Sequence, residues 1–361
     1  MERRIFTSRL MPGARVVLLL ASMLACALPA AAGAALKPAV KVAAGTSIAT
    51  GGGSVPGIVD IDTSLGYQQG AAAGTGIVLT STGEILTNNH VIRGETNVKV
   101  TDIDNGHTYA AKVVGYDLAA DVAVVQLKNA SNLQTARIGS STGAKVGDTV
   151  TAYGNAGGVG GTPSTAGGKI VGLGRSITAS DDSGDSEKLT GLIETNAALE
   201  PGDSGGPIVD SSGTVIGMDT AASSSFQLEF QSSAPRGYAI PIQKATAIAA
   251  QIVAGHSSAT IHVGATGFMG VSVEPQRSFF GDQSGGGLMV SGVVPGSPVE
   301  KAGLEPGDVV TAFDGKVIDT PSKLTALVIT KAPGDTVRIH WIDAFGTAHS
   351  STLRLVSGPP Q

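Results

Sequence analysis

The chain has 361 residues, 51 of them glycine and 17 proline, with 24 Lys and Arg against 29 Asp and Glu and a formal net charge of −5. That length exceeds what one small core covers and predicts two domains. The glycine load, with only 15% charged residues, suits turn-rich β structure and excludes a coiled coil or an acidic disordered tail, while the lack of any basic block after residue 15 excludes nucleic acid as an expected partner.

At the start of the chain, Arg3, Arg4, Arg9 and Arg15 precede an apolar run over residues 16–28 and the small residues Ala30, Ala31 and Ala32. This is the pattern of a secretory signal peptide over residues 1–32, which implies an exported protein acting outside the cell or in the cell envelope. Residues 16–36 are uncharged and long enough to span a bilayer, so an uncleaved signal anchor, with the rest of the chain outside the cytoplasm, is the alternative. Cys26, the sole cysteine, lies inside this segment, which leaves the body of the protein without a disulfide, a thiolate metal site or a cysteine nucleophile. Residues 33–56 are mostly small and polar and predict a flexible lead-in.

Short β-type runs then recur between Gly-, Asn- and Asp-rich turns, at 58–61, 75–79, 85–88, 98–100, 122–127, 149–153, 169–173, 207–209, 215–218 and 238–241. Their density predicts all-β barrels or sandwiches over residues 57–254. A helix is expected at 241–253, with Ile242, Ala245, Ile248, Ala249 and Ile252 at helical spacing, and it stops at Gly255. Residues 255–260 read as a linker, and a second block follows at 262–357.

Three residues in the first block carry chemistry. A serine nucleophile needs a base, a carboxylate to orient that base, and backbone donors for the oxyanion. His90 follows the run 85–88, at a strand-to-loop edge; Asp121 stands directly before the apolar run 122–127; Ser204 sits in Gly202-Asp203-Ser204-Gly205-Gly206-Pro207, a tight turn able to aim the Gly202 and Ser204 N–H groups at one point. Asp117 and Asp102 compete with Asp121 for the carboxylate role; Asp121 is preferred because it abuts the apolar run. No metal cluster, phosphate loop or nucleotide fingerprint is visible, so no cofactor and no metal are expected.

The segments Thr87-Asn88-Asn89-His90-Val91-Ile92, Asp121-Val122-Ala123-Val124-Val125, Ala197 to Pro207 and Tyr238-Ala239-Ile240-Pro241 resemble the HtrA/DegP family of trypsin-fold serine proteases, and within it the secreted, single-PDZ actinobacterial PepA type. The likeness implies a mainly β, chymotrypsin-like double-barrel protease domain, with His90 as general base, Asp121 as its orienter and Ser204 as nucleophile. It also implies that Ala198, Leu199 and Ala222 line the primary substrate pocket. With Ala198 where enzymes cutting after Lys or Arg have an acid, small or medium apolar side chains are expected at the cleaved position.

Two positions depart from the pattern. Asp203 stands where the family usually has Asn, and Asp219 where it commonly has Asn. In digestive enzymes the former aspartate pairs with a newly cut N-terminus. No matching cleavage site is visible here, so Asp203 is expected to be satisfied locally or by solvent.

The second block, with Gly267-Phe268-Met269-Gly270-Val271 and the run 293–310, resembles a bacterial-protease PDZ domain. The resemblance implies that the Phe268-Met269-Gly270 loop presents N–H groups to a peptide C-terminal carboxylate, that the strand from Val271 accepts the peptide as an added strand, and that a helix at 322–329 closes the groove with Leu324 and Val328. Family membership further implies unfolded or exported proteins as substrates, assembly as a homotrimer, and activity set by PDZ occupancy through the loops at 154–168 and 180–188. The alternative is a PDZ-based binding or chaperone protein with little proteolysis; the intact His, Asp and Ser favour the peptidase.

Overall fold

The computed structural model describes residues 55–180, 186–222, 236–275 and 286–361, all within one compact unit. The signal-like segment and residues 33–54 lie outside the described residues, as does the centre of the loop at 180–188. Among the described residues no helix is long and apolar enough to cross a membrane.

The first half builds from β1 (Ile58–Leu65), β2 (Gly70–Val78), β3 (Glu84–Thr87), α1 (Asn89–Ile92), β4 (Asn97–Asp102), β5 (Thr108–Asp117) and β6 (Val122–Leu127). These strands pair in the order β5-β4-β1-β2-β3-β6, and β6 returns to pair with β5, closing a barrel. The apolar run of β6 has no polar face because both of its faces are covered. Ala123, Val125 and Leu127 point into the barrel core, while Val122 and Val124 join a second cluster that draws on both halves of the fold.

A second closed barrel follows, made of β7 (Thr149–Gly154), β8 (Ser164–Ser180), β9 (Ser186–Thr195), β10 (Pro207–Val209), β11 (Val215–Ala222) and β12 (Gly237–Pro241). Alternation divides its strands in the same way: Ile216 and Ala239 face the interior of this barrel, whereas Val215, Met218, Tyr238 and Ile240 join the cluster shared with the first. That shared cluster seats one barrel against the other. Helix α2 (Ile242–Val253) buries the five residues expected from its spacing.

The strand β13 (Ile261–Val263), which the sequence places at the opening of the C-terminal block, hydrogen-bonds to β5 at the edge of the first sheet. Gly115 permits this approach, since a Cβ there would sit 2.4 Å from the His262 carbonyl oxygen.

The remaining chain forms β14 (Thr266–Phe268), β15 (Val271–Pro275), β16 (Leu288–Val293), α3 (Pro298–Lys301), β17 (Val309–Phe313), β18 (Lys316–Val317), α4 (Pro321–Val328), β19 (Thr336–Ile342), β20 (Ala348–Arg354) and β21 (Val356–Gly358). The main sheet runs β15-β16-β17-β19-β20 around its own core, which includes Phe313, Trp341, Leu324 and Val328. Strand β15 lies at the end of that order, so one of its edges has no strand partner among the described residues.

Candidate active site

His90 rides on α1, a single turn whose Val91 and Ile92 anchor it in the core. Asp121 grips the residue twice. Its Oδ1 accepts the His90 backbone N–H at 3.0 Å, and its Oδ2 lies 2.9 Å from ring Nδ1. The carboxylate is buried while the imidazole is partly open, with 3% and 38% of their side chains exposed. To reach both atoms the Asp121 backbone adopts φ +54°, a left-handed conformation that aspartate tolerates better than most residues. The competing acids are engaged elsewhere: Asp117 accepts from Ala120 N–H and the Thr260 hydroxyl, and Asp102 from Asp104 N–H.

Two further residues, not singled out by the sequence reading, fix this pair. The Thr220 hydroxyl donates to Asp121 Oδ2, and the Asn88 amide donates to the Asp121 carbonyl at 2.9 Å. Thr220 is hard to find because it is an ordinary threonine within a mostly apolar strand, β11. The one signal is that it forms, with Asp219, a polar pair directly after the buried Met218.

Ser204 lies in the turn between β9 and β10. Its carbonyl accepts the Thr75 N–H at 2.8 Å, and a Cβ placed on Gly74 would sit 3.2 Å from that carbonyl and 2.7 Å from the Val91 methyls. One glycine on β2 therefore separates the serine main chain from the residue next to His90. The turn is held from below by Thr75, whose hydroxyl donates to Gly202 O at 2.7 Å and accepts Asn155 N–H at 2.9 Å, while Gly157 N–H donates to Pro201 O at 2.7 Å. Among the described residues, no acceptor meets the N–H groups of Gly202 and Ser204. Two backbone donors beside a serine are what an oxyanion requires. Gly202 has φ +104°, and a Cβ there would lie 2.0 Å from Asn155 O.

The chain is similar to known proteins in both of its halves. Residues 74–218 match the trypsin-like peptidase domain, and residues 267–342 match the PDZ domain. Serine protease PepD of Mycobacterium tuberculosis is 33% identical over 346 residues, covering 91% of this chain and 70% of PepD. The chain belongs to the HtrA/DegP family of serine proteases. Escherichia coli DegQ, a periplasmic pH-dependent serine endoprotease, is 32% identical over 269 residues, covering 74% of this chain and 55% of DegQ. The chain thus spans little more than half the length of that relative, and 62% of Bacillus subtilis Do-like HtrA. Among solved structures, the HtrA-type protease AlgW with tripeptide aligns at 28% identity and a TM-score of 0.47, over 85% of this chain and 96% of that one.

Asp203, the first departure from the HtrA pattern, is met within the protease. Its Oδ2 accepts Glu200 N–H at 2.9 Å and its Oδ1 the Ser164 hydroxyl at 2.8 Å. Burial raises its pKa, and these two donors oppose the rise. Ser164 opens β8, so part of the stretch 154–168 expected as loop is paired strand, with Ser164–Gly168 in register with Val150–Gly154. At the near end of that loop, Gly161 N–H donates to buried Asp60 at 3.1 Å, and burial pushes the Asp60 pKa up to about 6.

Asp219, the second departure, is 1% exposed, and among the described residues neither carboxyl oxygen has a hydrogen-bond partner. Its main chain brackets the nucleophile turn, accepting from Gly205 N–H at 2.9 Å and donating to Gly206 O at 2.8 Å. Burial, and secondarily the charge of Asp203, hold its pKa well above the ordinary carboxylate value. The folded protein therefore keeps a proton that the unfolded chain releases, so this group lowers stability as pH rises from the ordinary carboxylate range towards the raised value. Asp219→Asn removes that titration. It is expected to stabilise the fold at neutral pH, with the gain shrinking as the pH falls and vanishing near pH 3; thermal unfolding of both proteins across pH 3–8 measures it.

Of the residues expected at the primary pocket, Ala198 is exposed, Leu199 is buried against Gly237, and Ala222 is the last residue of β11. In the PDZ domain, Met269, Leu324 and Val328 lie in its core, and Val271 opens β15 half-buried. Among the described residues the N–H groups of Met269 and Gly270 meet no acceptor, while their carbonyls accept from Val299 and Val294. The Phe268 ring stacks on Tyr67 of the first barrel at 5.1 Å.

Proposed function

We propose that this HtrA-family chain hydrolyses peptide bonds of unfolded or exported proteins, with His90 as general base, Asp121 as its orienter and Ser204 as nucleophile. The observation that carries the reading is Asp121 holding both the backbone and the ring of His90 beside a serine turn with two unsatisfied N–H donors. Nδ1 is thereby kept protonated, leaving Nε2 to take the serine proton and later pass it to the leaving amine. The Gly202 and Ser204 N–H groups stabilise the tetrahedral oxyanion. No metal or cofactor enters this scheme.

The primary pocket formed by Ala198, Leu199 and Ala222 accepts small or medium apolar side chains in this reading. The PDZ domain binds peptide C-termini, the carboxylate at the Met269 and Gly270 N–H groups and the strand along the open edge of β15, below α4. An extracytoplasmic location is supported by the signal-like residues 1–32 and by the periplasmic relatives. Assembly as a homotrimer rests on the family resemblance, and retention of residues 1–32 as an anchor is the alternative to their removal.

Treatment with a fluorophosphonate during casein digestion tests the assignment. Hydrolysis is expected to stop in step with the formation of one covalent adduct on Ser204, located by peptide mass spectrometry. Digestion that survives full labelling, or an adduct on another residue, rejects it.

A further inference from the structure

Residues 359–361 follow the last PDZ strand, yet they lie against the turn that carries His90. Pro359 and Pro360 are buried. The Pro360 carbonyl accepts the Gly94 N–H at 2.8 Å, the Gln361 carbonyl accepts the Asn89 side-chain amide at 3.2 Å, and the Gln361 N–H donates to the Tyr116 hydroxyl at 3.2 Å. Asn89 and Gly94 flank His90, one directly before it and the other just beyond the end of α1. A helix of one turn does not hold itself together, so its orientation is set by its surroundings. On the N-terminal side, the Asn88 side chain makes no capping bond.

The same segment is tied to the PDZ carboxylate loop. β21 pairs with β14 in the register Thr266 with Gly358, Gly267 with Ser357 and Phe268 with Val356. β14 leads directly into Met269 and Gly270. The buried Tyr116 hydroxyl lies 3.2 Å from the Thr266 hydroxyl as well as bonding Gln361, so strand and tail meet at one atom of the first barrel.

We propose that residues 359–361 are a positioning element of the protease site, clamping the His90 turn through Gly94 and Asn89, and that the control by PDZ occupancy which the family resemblance implies reaches His90 through β14, β21 and this clamp. The proposal rests on the catalytic reading of His90 given above. The ligand is a peptide of any sequence that ends in a free carboxylate and can add as a strand. The clamp acts through His90 and touches no substrate.

The test compares the full chain with one ending at Gly358, which keeps β21. Three readouts are used: hydrolysis of a short chromogenic peptide blocked at its C-terminus, anisotropy of a labelled decapeptide with a free C-terminus, and amide hydrogen exchange of residues 89–95. Removing the clamp is expected to lower kcat about tenfold with KM little changed, since a small displacement of a general base costs rate rather than binding. Exchange in 89–95 should quicken. Saturating decapeptide should change turnover of the full chain about twofold or more and leave the shortened chain unaffected at equal peptide affinity.

Tyr116→Phe, which keeps the buried ring and deletes only the shared hydroxyl, should lose about threefold in kcat by the same route and serves should the shortened chain fail to fold. Unchanged kcat and unchanged exchange in the variant that folds overturn the clamp, as does an undiminished response to the decapeptide. If the full chain hydrolyses nothing, the catalytic reading fails instead, and the exchange data alone decide the clamp.

Discussion

Ser204→Ala is expected to reduce peptide-bond hydrolysis by about 10⁴-fold or more, leaving only what oriented binding and the oxyanion donors supply. The substitution deletes one oxygen from a half-buried side chain and leaves the Ser204 main chain, with its bond to Thr75, in place. Thermal unfolding should therefore move by little. Initial rates on casein and on a chromogenic peptide, measured with the parent protein alongside, check the first half; a melting curve checks the second. His90→Ala should fall to a similar level, and the double variant to no lower one, because base and nucleophile act as a unit. Losses that multiply would show that the two side chains work independently.

Gly202→Ala should be nearly as damaging, by a different route. The added methyl meets the Asn155 carbonyl at 2.0 Å and stands close to Gly158 N, on a backbone at φ +104°. Neither neighbour is a flexible side-chain end, so the turn itself has to move, and with it the two N–H groups that meet no acceptor. Loss of one oxyanion donor costs about 10²–10³ in kcat, and a shift of the whole turn removes both. The Gly202→Ala protein should still become labelled at Ser204 by a fluorophosphonate, but far more slowly, and its KM should move much less than its kcat. A fall in KM and kcat together, with a large drop in melting temperature, would instead mean that the barrel had come apart.

Much of the architecture was legible because burial on two faces writes itself into composition. The runs at 122–127 and 207–209 coincide with β6 and β10 residue for residue, since strands covered on both sides carry no polar alternation to blur their ends. β5 and β9 were not anticipated. Outward-facing Lys112 and Thr108 alternate with modest inward residues along β5, and both β5 and β9 carry register shifts, so neither shows a clean period.

The site divides in the same manner. His90, Asp121 and Ser204 stand out because each sits at a strand boundary in a motif. Thr75, Ser164 and Thr220 do not, because their roles depend on which strand lies beside which. The contacts of residues 359–361 were beyond reach for a further reason: most run through main-chain atoms, which carry no sequence signature.

Asp203 carries one last consequence. In a protease whose corresponding acid waits for a freshly cut amino group, switching on is a single irreversible event. Here the acid already has a hydroxyl and an amide N–H inside the domain. No bond has to be cut to give this acid its partners, so seating the turn requires no irreversible event.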